Sequence, residues 1–157
     1  MISAYCLDYN TWVCIPRHVK EDFAEMAGMG VDTVCLSFSE NDMAYARRTF
    51  GILVELAHEA GLRVFVIPSR IAGRFAGAPL MPSVWLARNP QYQVPDECWL
   101  PAGCVESPGV RDWIKSFMKT LITDYALDGI IWDEPKEPTR ISHHPDTIAR
   151  FGENPTE

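Results

Sequence analysis

Four short apolar runs along the chain predict four β-strands. They are ISAYCL at 2–7, TVCLSF at 33–38, RVFVIP at 63–68 and GIIW at 129–132. RVFVIP is apolar at both alternating positions, which is typical of a parallel strand covered on both faces. The pattern therefore favours a buried parallel sheet.

Apolar residues at helical spacing predict three helices between these strands. The first begins near Pro16, the second is capped by Ser39 with Asp42 three residues on, and the third begins at Pro108 after Ser107. The predicted inner faces are Val19, Phe23, Met26 and Ala27; then Met43, Ala46, Phe50, Leu53, Val54 and Ala57; and then Val110, Trp113, Ile114, Phe117, Met118, Leu121, Ile122 and Tyr125.

The order βαβαβαβ indicates an α/β fold with parallel strands joined by right-handed crossovers. A doubly wound sheet and a (β/α)8 barrel both have this order. Neither GxGxxG nor GxxxxGK[ST] follows the first strand, and this favours the barrel. We therefore expect residues 1–157 to form a single incomplete (β/α)8 TIM barrel of about four βα units, truncated after its fourth strand.

Composition and charge narrow the classes of partner. The chain has 157 residues, 47% of them hydrophobic, and 14 basic against 21 acidic residues give a net charge of -7. The sequence has no cluster of Lys or Arg that could form a basic stripe for the phosphates of nucleic acid. The N-terminal MISAYCLDYNTWVC lacks the features of a signal peptide, and no apolar run approaches the ~20 residues that span a bilayer. We expect a cytoplasmic protein that binds neither nucleic acid nor membrane.

Cysteine and histidine positions predict neither a metal site nor a cofactor. The five cysteines lack CxxC spacing, and Cys6 and Cys35 lie in strand-like runs as small buried hydrophobes, with a nucleophilic cysteine as the alternative. His143 and His144 with Asp146 are adjacent on a polar segment, without the helical i, i+4 spacing that directs two ring nitrogens at one ion.

Asp133 and Glu134 directly follow the fourth predicted strand. In parallel α/β folds the functional groups collect at the C-terminal ends of the strands. Because side chains alternate along a strand, one carboxylate should face the barrel axis and the other should lean toward the helices or a loop. The alternative is structural, with Asp133 capping a helix and Glu134 pairing with Arg140 or Lys136.

Other polar residues follow the earlier strands at the same expected rim. The structural interpretation makes Ser39 a helix cap, Glu40 a solvated first-turn carboxylate and Asp8 a turn residue. Arg70 is the best ligand-binding candidate among them, although a surface salt bridge explains it equally well. The remaining rim residues are Ser37 and Ser69.

The connection from Ser69 to Glu106 is far longer than an ordinary βα loop. PSVWLARNP within it predicts a short helix, and we expect the connection to fold over the strand ends that carry Glu134. Its aromatic residues could stack on sugars or hold the loop down. A satellite core is favoured for Trp85 and Tyr92, while Trp99 stays open between the two roles. The connection also carries Phe75.

Two longer stretches carry a family resemblance. AHEAGLRVFVIPSRIAGRFAG at 57–77 and DGIIWDEPK at 128–136 together resemble the N-terminal half of the (β/α)8 barrel glycoside hydrolases and their hydrolase-like bacterial relatives. The resemblance implies that Glu134 is the general acid/base, with Asp133 in place of the usual asparagine. The family's nucleophile, at the end of strand 7, would lie beyond Glu157. Substrate contacts are then expected from Asp8, Ser37, Arg70, Trp99 and Trp132.

The resulting hypothesis is hydrolysis of an O-glycosidic bond in a carbohydrate, with no cofactor. Adjacent strand residues point apart, so Asp133 and Glu134 supply one of the two carboxyl groups that the reaction needs, and the chain alone should be inactive. Its unclosed edges predict self-association. The alternatives are a metal-assisted barrel enzyme with Asp133 and Glu134 as cation ligands, and a carbohydrate-binding barrel without catalysis.

Overall fold

The computed structural model describes residues 2–6, 14–75, 82–94, 101–133 and 142–153. Within these ranges the strands are β1 (Ser3–Cys6), β2 (Thr33–Ser39), β3 (Arg63–Ser69), β4 (Gln93–Val94), β5 (Ala102–Gly103) and β6 (Gly129–Ile130). The helices are α1 (Pro16–Gly28), α2 (Glu40–Tyr45), α3 (Arg47–Glu59), α4 (Val84–Arg88), α5 (Pro108–Asp124) and α6 (Pro145–Phe151), with a 3-10 turn at Pro90–Tyr92.

The main sheet has the order β1-β2-β3-β6, and every pair in it is parallel. Each crossover moves to the next strand in the same direction, so right-handed connections place all their helices on one face. A doubly wound sheet reverses direction and covers both faces. The sequential order is that of a (β/α)8 barrel and confirms the predicted fold class, a partial TIM-barrel-like α/β fold.

The core lies between this sheet and its helices. Alternate residues of β2 and β3 pack on helices α1, α3 and α5, because residues two apart along a strand share one face. The Phe38 ring lies 4.4 Å from the Phe50 ring and 5.9 Å from the Phe117 ring, measured between centroids. The cluster includes Val19, Phe23, Val34, Leu36, Phe38, Phe50, Leu53, Val64, Val66, Phe117 and Leu121.

The predicted second helix is interrupted. Ser39 and Asp42 form the expected capping box, but Ala46 adopts φ -132° and ψ 19° and separates α2 from α3. The expected stripe persists on the far side of the break, where Phe50 and Leu53 are buried together with Val54 and Ala57. A non-helical Ala46 changes the direction of the chain, so the second crossover consists of two helices.

The inner face of α5 is narrower than predicted. Phe117 and Leu121 are buried as expected, whereas Ile122 is 56% exposed, so its assignment to the inner face is wrong. One residue beyond Leu121 is a rotation of ~100° around the helix axis, which carries Ile122 off the sheet-facing stripe.

The last strand of the sheet is also shorter than the predicted GIIW. The paired strand covers Gly129–Ile130, and the amide of Ile131 adds one hydrogen bond of 2.8 Å to the carbonyl of Val66. Pairing therefore ends just before Trp132.

Charged and polar groups form hydrogen bonds with one another at the N-terminal end of the sheet. Asp32 accepts hydrogen bonds from the Thr33 hydroxyl at 2.6 Å, from Arg63 at 2.8 Å and from the amide of Ile2 at 3.3 Å. These bonds, with Thr33 contributing most and Arg63 next, lower the pKa of Asp32 to about 2. Polar groups at this end of a barrel serve stability, because the βα loops meet at the other end.

Candidate functional site

Strand register brings the ends of β2, β3 and β6 together. Ser39 in β2 pairs with Ser69 in β3, and Val66 in β3 pairs with Ile130 in β6. If this register continued beyond the paired residues of β6, Asp133 would lie level with Ser69. These residues are at the C-terminal ends of parallel strands, where barrel enzymes carry their functional groups.

Alternation fixes the side of the sheet only as far as Ile130, the last residue of β6, which packs against the helix-side core. An extended continuation of the chain would carry Ile131 and Asp133 toward the opposite side, that of the barrel axis. The same alternation puts Ser37 of β2 and Ser69 of β3 on the axis side. Ser37 is half-buried there, and Asp133 is also half-buried.

Glu40, the first residue of α2, is buried and only 4% exposed. One carboxylate oxygen accepts from the amide of Ala72 at 2.7 Å and from the indole of Trp113 at 2.8 Å. The other accepts from the Ser83 hydroxyl at 2.7 Å and the amide of Trp85 at 2.8 Å. The prediction of a solvated carboxylate is wrong, because the long β3–α5 connection folds over the start of α2 and surrounds it.

The sequence offered no local signal for this role. Glu40 follows a cap and precedes a helix, which is where exposed carboxylates are common. Its four donors come from residues 32 to 73 positions away, so only the tertiary fold brings them together.

The described part of the β3–α5 connection is anchored at the C-terminal end of the sheet, as predicted. Ser83 caps α4 by accepting from the amide of Leu86, which confirms the short helix. The Trp85 ring stacks on Tyr92 at 5.3 Å and on Trp113 at 5.7 Å between centroids. Trp85 and Tyr92 therefore form the satellite core that the sequence favoured.

Residues 70–75 form a turn in an unusual backbone conformation. Arg70, Ala72 and Phe75 have φ values of 53°, 50° and 65°, and Gly73 has 67°. Left-handed conformations of this kind cost non-glycine residues about 1–3 kcal/mol each and occur mainly where surrounding contacts enforce them. Here Glu40 binds the amide of Ala72, whose carbonyl accepts from the amide of Gly103 at 2.8 Å.

Arg70 is 4% exposed and Ser69 is fully buried. The Ser69 hydroxyl and the Nε and Nη2 atoms of Arg70 have no hydrogen-bond partner among the residues that the structure describes. The alternative of a surface salt bridge for Arg70 is therefore wrong. The strained turn draws the side chain inward instead of placing it in solvent.

An aromatic pair lies at the same end of the sheet. Trp132 is 50% exposed, and its ring centroid lies 5.0 Å from that of Phe75. Trp132 follows the last paired residues of β6, and Phe75 ends the strained turn after β3. Together they leave an apolar aromatic surface beside Asp133.

Three of the predicted site residues, Asp8, Trp99 and Glu134, lie outside the described residues. Of the other candidates, the structure brings Asp133, Trp132 and Arg70 to the ends of neighbouring strands, with Ser37 on β2. The roles predicted for all seven residues stay predictions.

His144 has a structural role at the start of α6. Its Nδ1 accepts from the amide of Asp146 at 3.2 Å, and its Nε2 lies 2.8 Å from the carbonyl oxygen of Gln91. His143 is exposed. In the described ranges, His, Cys, Asp and Glu side chains form no group of three that could hold a metal ion.

Cys35 is buried in β2, as predicted, whereas the side chain of Cys6 lies outside the described residues. Burial raises the pKa of the Cys35 thiol and likewise that of Cys14. Both shifts favour the neutral thiol over the thiolate that nucleophilic chemistry requires.

The described helices include none with the length and apolar character needed to cross a membrane.

Comparison with known proteins supports the fold. No protein-family model and no curated sequence matches the chain. The structure is similar to the GH36 α-galactosidase AgaA from Geobacillus stearothermophilus, with a TM-score of 0.64 and 13% identity over 97% of this chain and 24% of AgaA. A variant of AgaA in complex with 1-deoxygalactonojirimycin gives 0.65 and 13% over 94% of this chain and 23% of its own.

GH36 α-galactosidase AgaB from the same organism gives a TM-score of 0.66 and 11% identity over 94% of this chain and 23% of AgaB. The chain thus spans about a quarter of the length of these proteins. At this level of identity the likeness shows the fold alone, a partial TIM-barrel-like α/β fold.

Proposed function

We propose that this chain is the N-terminal half of a barrel that hydrolyses an O-glycosidic bond in a carbohydrate. The observation that carries the proposal is the position of Asp133, a half-buried carboxylate three residues beyond the last paired residue of β6, at the C-terminal end of the parallel sheet. The glycoside-hydrolase-like fold supports it.

Glycoside hydrolysis uses two carboxyl groups about 5 to 10 Å apart, one to protonate the leaving oxygen and one to act as nucleophile or base. Asp133 and Glu134 are adjacent and alternate in direction, so one of them serves in the reaction. The second carboxyl group then comes from other βα units that complete the barrel.

If the strand alternation of β6 continues beyond Ile130, Asp133 is the axis-facing carboxylate. In that position Asp133 would suit the nucleophile or base role. Glu134 remains the general acid/base of the sequence-based hypothesis, in which it protonates the leaving oxygen. The two assignments make different predictions for variants at the two positions.

The exposed ring of Trp132 beside Phe75 supports carbohydrate as the ligand. The apolar face of a sugar packs on an aromatic ring, while its hydroxyl groups need polar neighbours. Ser37 offers such a group on the axis side of β2. Asp8 and Trp99 complete the proposed binding set.

The proposal is tested first by binding. Isothermal titration of the full chain with a panel of oligosaccharides is compared between the parent, Trp132→Ala and Trp85→Ala. We expect Trp132→Ala to weaken binding with little loss of melting temperature, and Trp85→Ala to lower the melting temperature. If no oligosaccharide binds the parent chain, or if Trp132→Ala binds as the parent does, the proposed site is wrong.

Hydrolysis is tested on a version extended by four further βα units, with activated aryl glycosides as substrates. Loss of a carboxyl group that transfers the proton or attacks the sugar should lower the rate by about 100-fold or more. Asp133→Asn and Glu134→Gln are compared with Asp112→Asn, which removes an exposed carboxylate from α5. If every version binds carbohydrate but hydrolyses none, the protein is a carbohydrate-binding barrel without catalysis.

A further inference from the structure

Arg70 carries a positive charge into the interior at the end of β3. An arginine stays protonated in proteins, and a buried charge is costly unless an opposite charge and hydrogen bonds accompany it. Yet Nε and Nη2 are buried without a hydrogen-bond partner in the described part of the chain, as is the adjacent Ser69 hydroxyl. Three buried donor groups on two consecutive residues therefore have no acceptor among the described residues.

The carboxylates of Glu40 and Asp42 already accept hydrogen bonds from other groups. Both oxygens of Glu40 already accept two hydrogen bonds each. Asp42 accepts from the backbone amide of Ser39 at 2.8 Å and from its hydroxyl at 2.6 Å. Neither of these groups, nor Asp133, forms an ion pair with Arg70 within the ranges that the structure describes.

The backbone adds an independent indication. Arg70 has a φ of 53°, a conformation that glycine adopts without strain and that a larger residue adopts at a cost. The side chain that this backbone carries is buried, and its Nε and Nη2 atoms have no hydrogen-bond partner among the described residues. Strained backbone of this kind concentrates at ligand-binding positions, where the surrounding contacts hold it in place. Here the hydrogen bond that the Ala72 amide donates to the Glu40 carboxylate is one of those contacts.

We propose that Ser69 and Arg70 bind an oxyanion on the ligand, so that the substrate is an acidic carbohydrate that carries a carboxylate, phosphate or sulfate group. The identification of the ligand as a carbohydrate rests on the proposed function, whereas the oxyanion site rests on the buried donors alone. The planar guanidinium donates two parallel hydrogen bonds to such a group, and the serine hydroxyl donates a third. A neutral sugar hydroxyl accepts a hydrogen bond but leaves the buried charge uncompensated.

The test measures anion binding to the full chain. Thermal unfolding is followed in increasing inorganic phosphate, with sodium chloride at matched ionic strength as reference. Titrations with galacturonate against galactose, and with glucose 6-phosphate against glucose, then compare an acidic sugar with its neutral counterpart. The variants are Arg70→Met, Arg70→Lys, Ser69→Ala and Arg48→Met, the last removing the same charge from the exposed surface of α3.

We expect phosphate to raise the melting temperature of the parent and of Arg48→Met. Arg70→Met should bind phosphate and the acidic sugars about tenfold more weakly or worse, since charge-assisted hydrogen bonds are lost. Arg70→Lys should bind phosphate and the acidic sugars with an affinity between those of the parent and of Arg70→Met, because lysine keeps the charge but lacks the planar guanidinium. Without anion, Arg70→Met should melt no lower than the parent, because an unpaired buried charge has been removed.

The outcomes separate the two proposals. If Arg70→Met melts well below the parent and the parent binds no phosphate, Arg70 is a structural residue and the oxyanion site is wrong. If neutral and acidic sugars bind equally, the acidic substrate class is wrong and the proposed function stands. If phosphate binds through Arg70 while no carbohydrate binds, the oxyanion site stands and the proposed function fails.

Discussion

The carboxylate of Glu40 lies 2.8 Å from the indole Nε1 of Trp113 and accepts its hydrogen bond. Glu40 begins α2 at the end of β2, and Trp113 belongs to α5. The same carboxylate holds Ala72, Ser83 and Trp85. The buried Glu40 carboxylate with its four donors thus joins the strained turn after β3 to the helix layer. It therefore stabilises the backbone of the turn that contains Arg70.

The first prediction concerns Glu40. Glu40→Gln replaces one acceptor oxygen by an NH2 donor that faces other donors, so the free energy of unfolding should fall by about 3 kcal/mol. Urea denaturation measures the change. Glu55→Gln, at an exposed position on α3, is the control and should change stability by less than about 0.5 kcal/mol. Equal effects of the two substitutions would contradict the buried role of Glu40.

The second prediction concerns Gly73 in the strained turn. Its φ is 67°, and a Cβ there would lie 2.3 Å from the carbonyl oxygen of Pro101 and 2.8 Å from the Cα of Ala102. Both are backbone atoms, so Gly73→Ala should destabilise the chain by about 2 kcal/mol or more. Gly28→Ala is the matched change, because no atom lies within 4 Å of its Cβ, and it should be neutral or slightly stabilising. Thermal unfolding of the two variants and of the parent measures these changes in stability.

The third prediction contrasts neighbours on α5. Leu121 is fully buried, and its truncation to Ala should cost about 2–5 kcal/mol. Ile122 is 56% exposed, so Ile122→Ala should change stability by less than about 0.5 kcal/mol. Chemical denaturation of both variants measures the difference. Comparable losses would mean that the helix is rotated relative to the sheet.

The fourth prediction is a pH dependence. Hydrogen bonds from Thr33 and Arg63 lower the pKa of Asp32 from 3.8 to about 2. A carboxyl group whose pKa is lower in the folded state contributes stability above the unfolded pKa and loses it as the pH falls through the folded pKa. Stability from Asp32 should therefore disappear between about pH 4 and pH 2. The backbone amide of Val64 lowers the pKa of Asp128 in the same direction.

Urea midpoints of the parent and of Asp32→Asn, measured from pH 5 to pH 2, test this prediction. The parent should be more stable at pH 5, and the difference should shrink toward zero as Asp32 is protonated. Asp112→Asn on the exposed surface of α5 provides the control and should follow the parent. A constant difference across the range would show that Asp32 does not titrate in this window.

The sequence by itself determined the class of fold. Apolar runs of strand length alternate with helical stripes, and this pattern depends only on the chain's local periodicity. It located the strands around Val34, Val64 and Ile130, the capping box at Ser39 and Asp42, and the short helix after Ser83. It also placed Asp133 at a strand end, because position after a strand is a local property.

Tertiary structure decided the charge environment of the candidate site. Whether Glu40 is solvated or buried, and whether Arg70 pairs at the surface or lies in the interior, depends on how the β3–α5 connection folds over the strand ends. The donors to Glu40 are distant in sequence, and a left-handed Arg70 follows no local propensity. Burial is a property of the packed chain, and only packing could reveal where its charges lie.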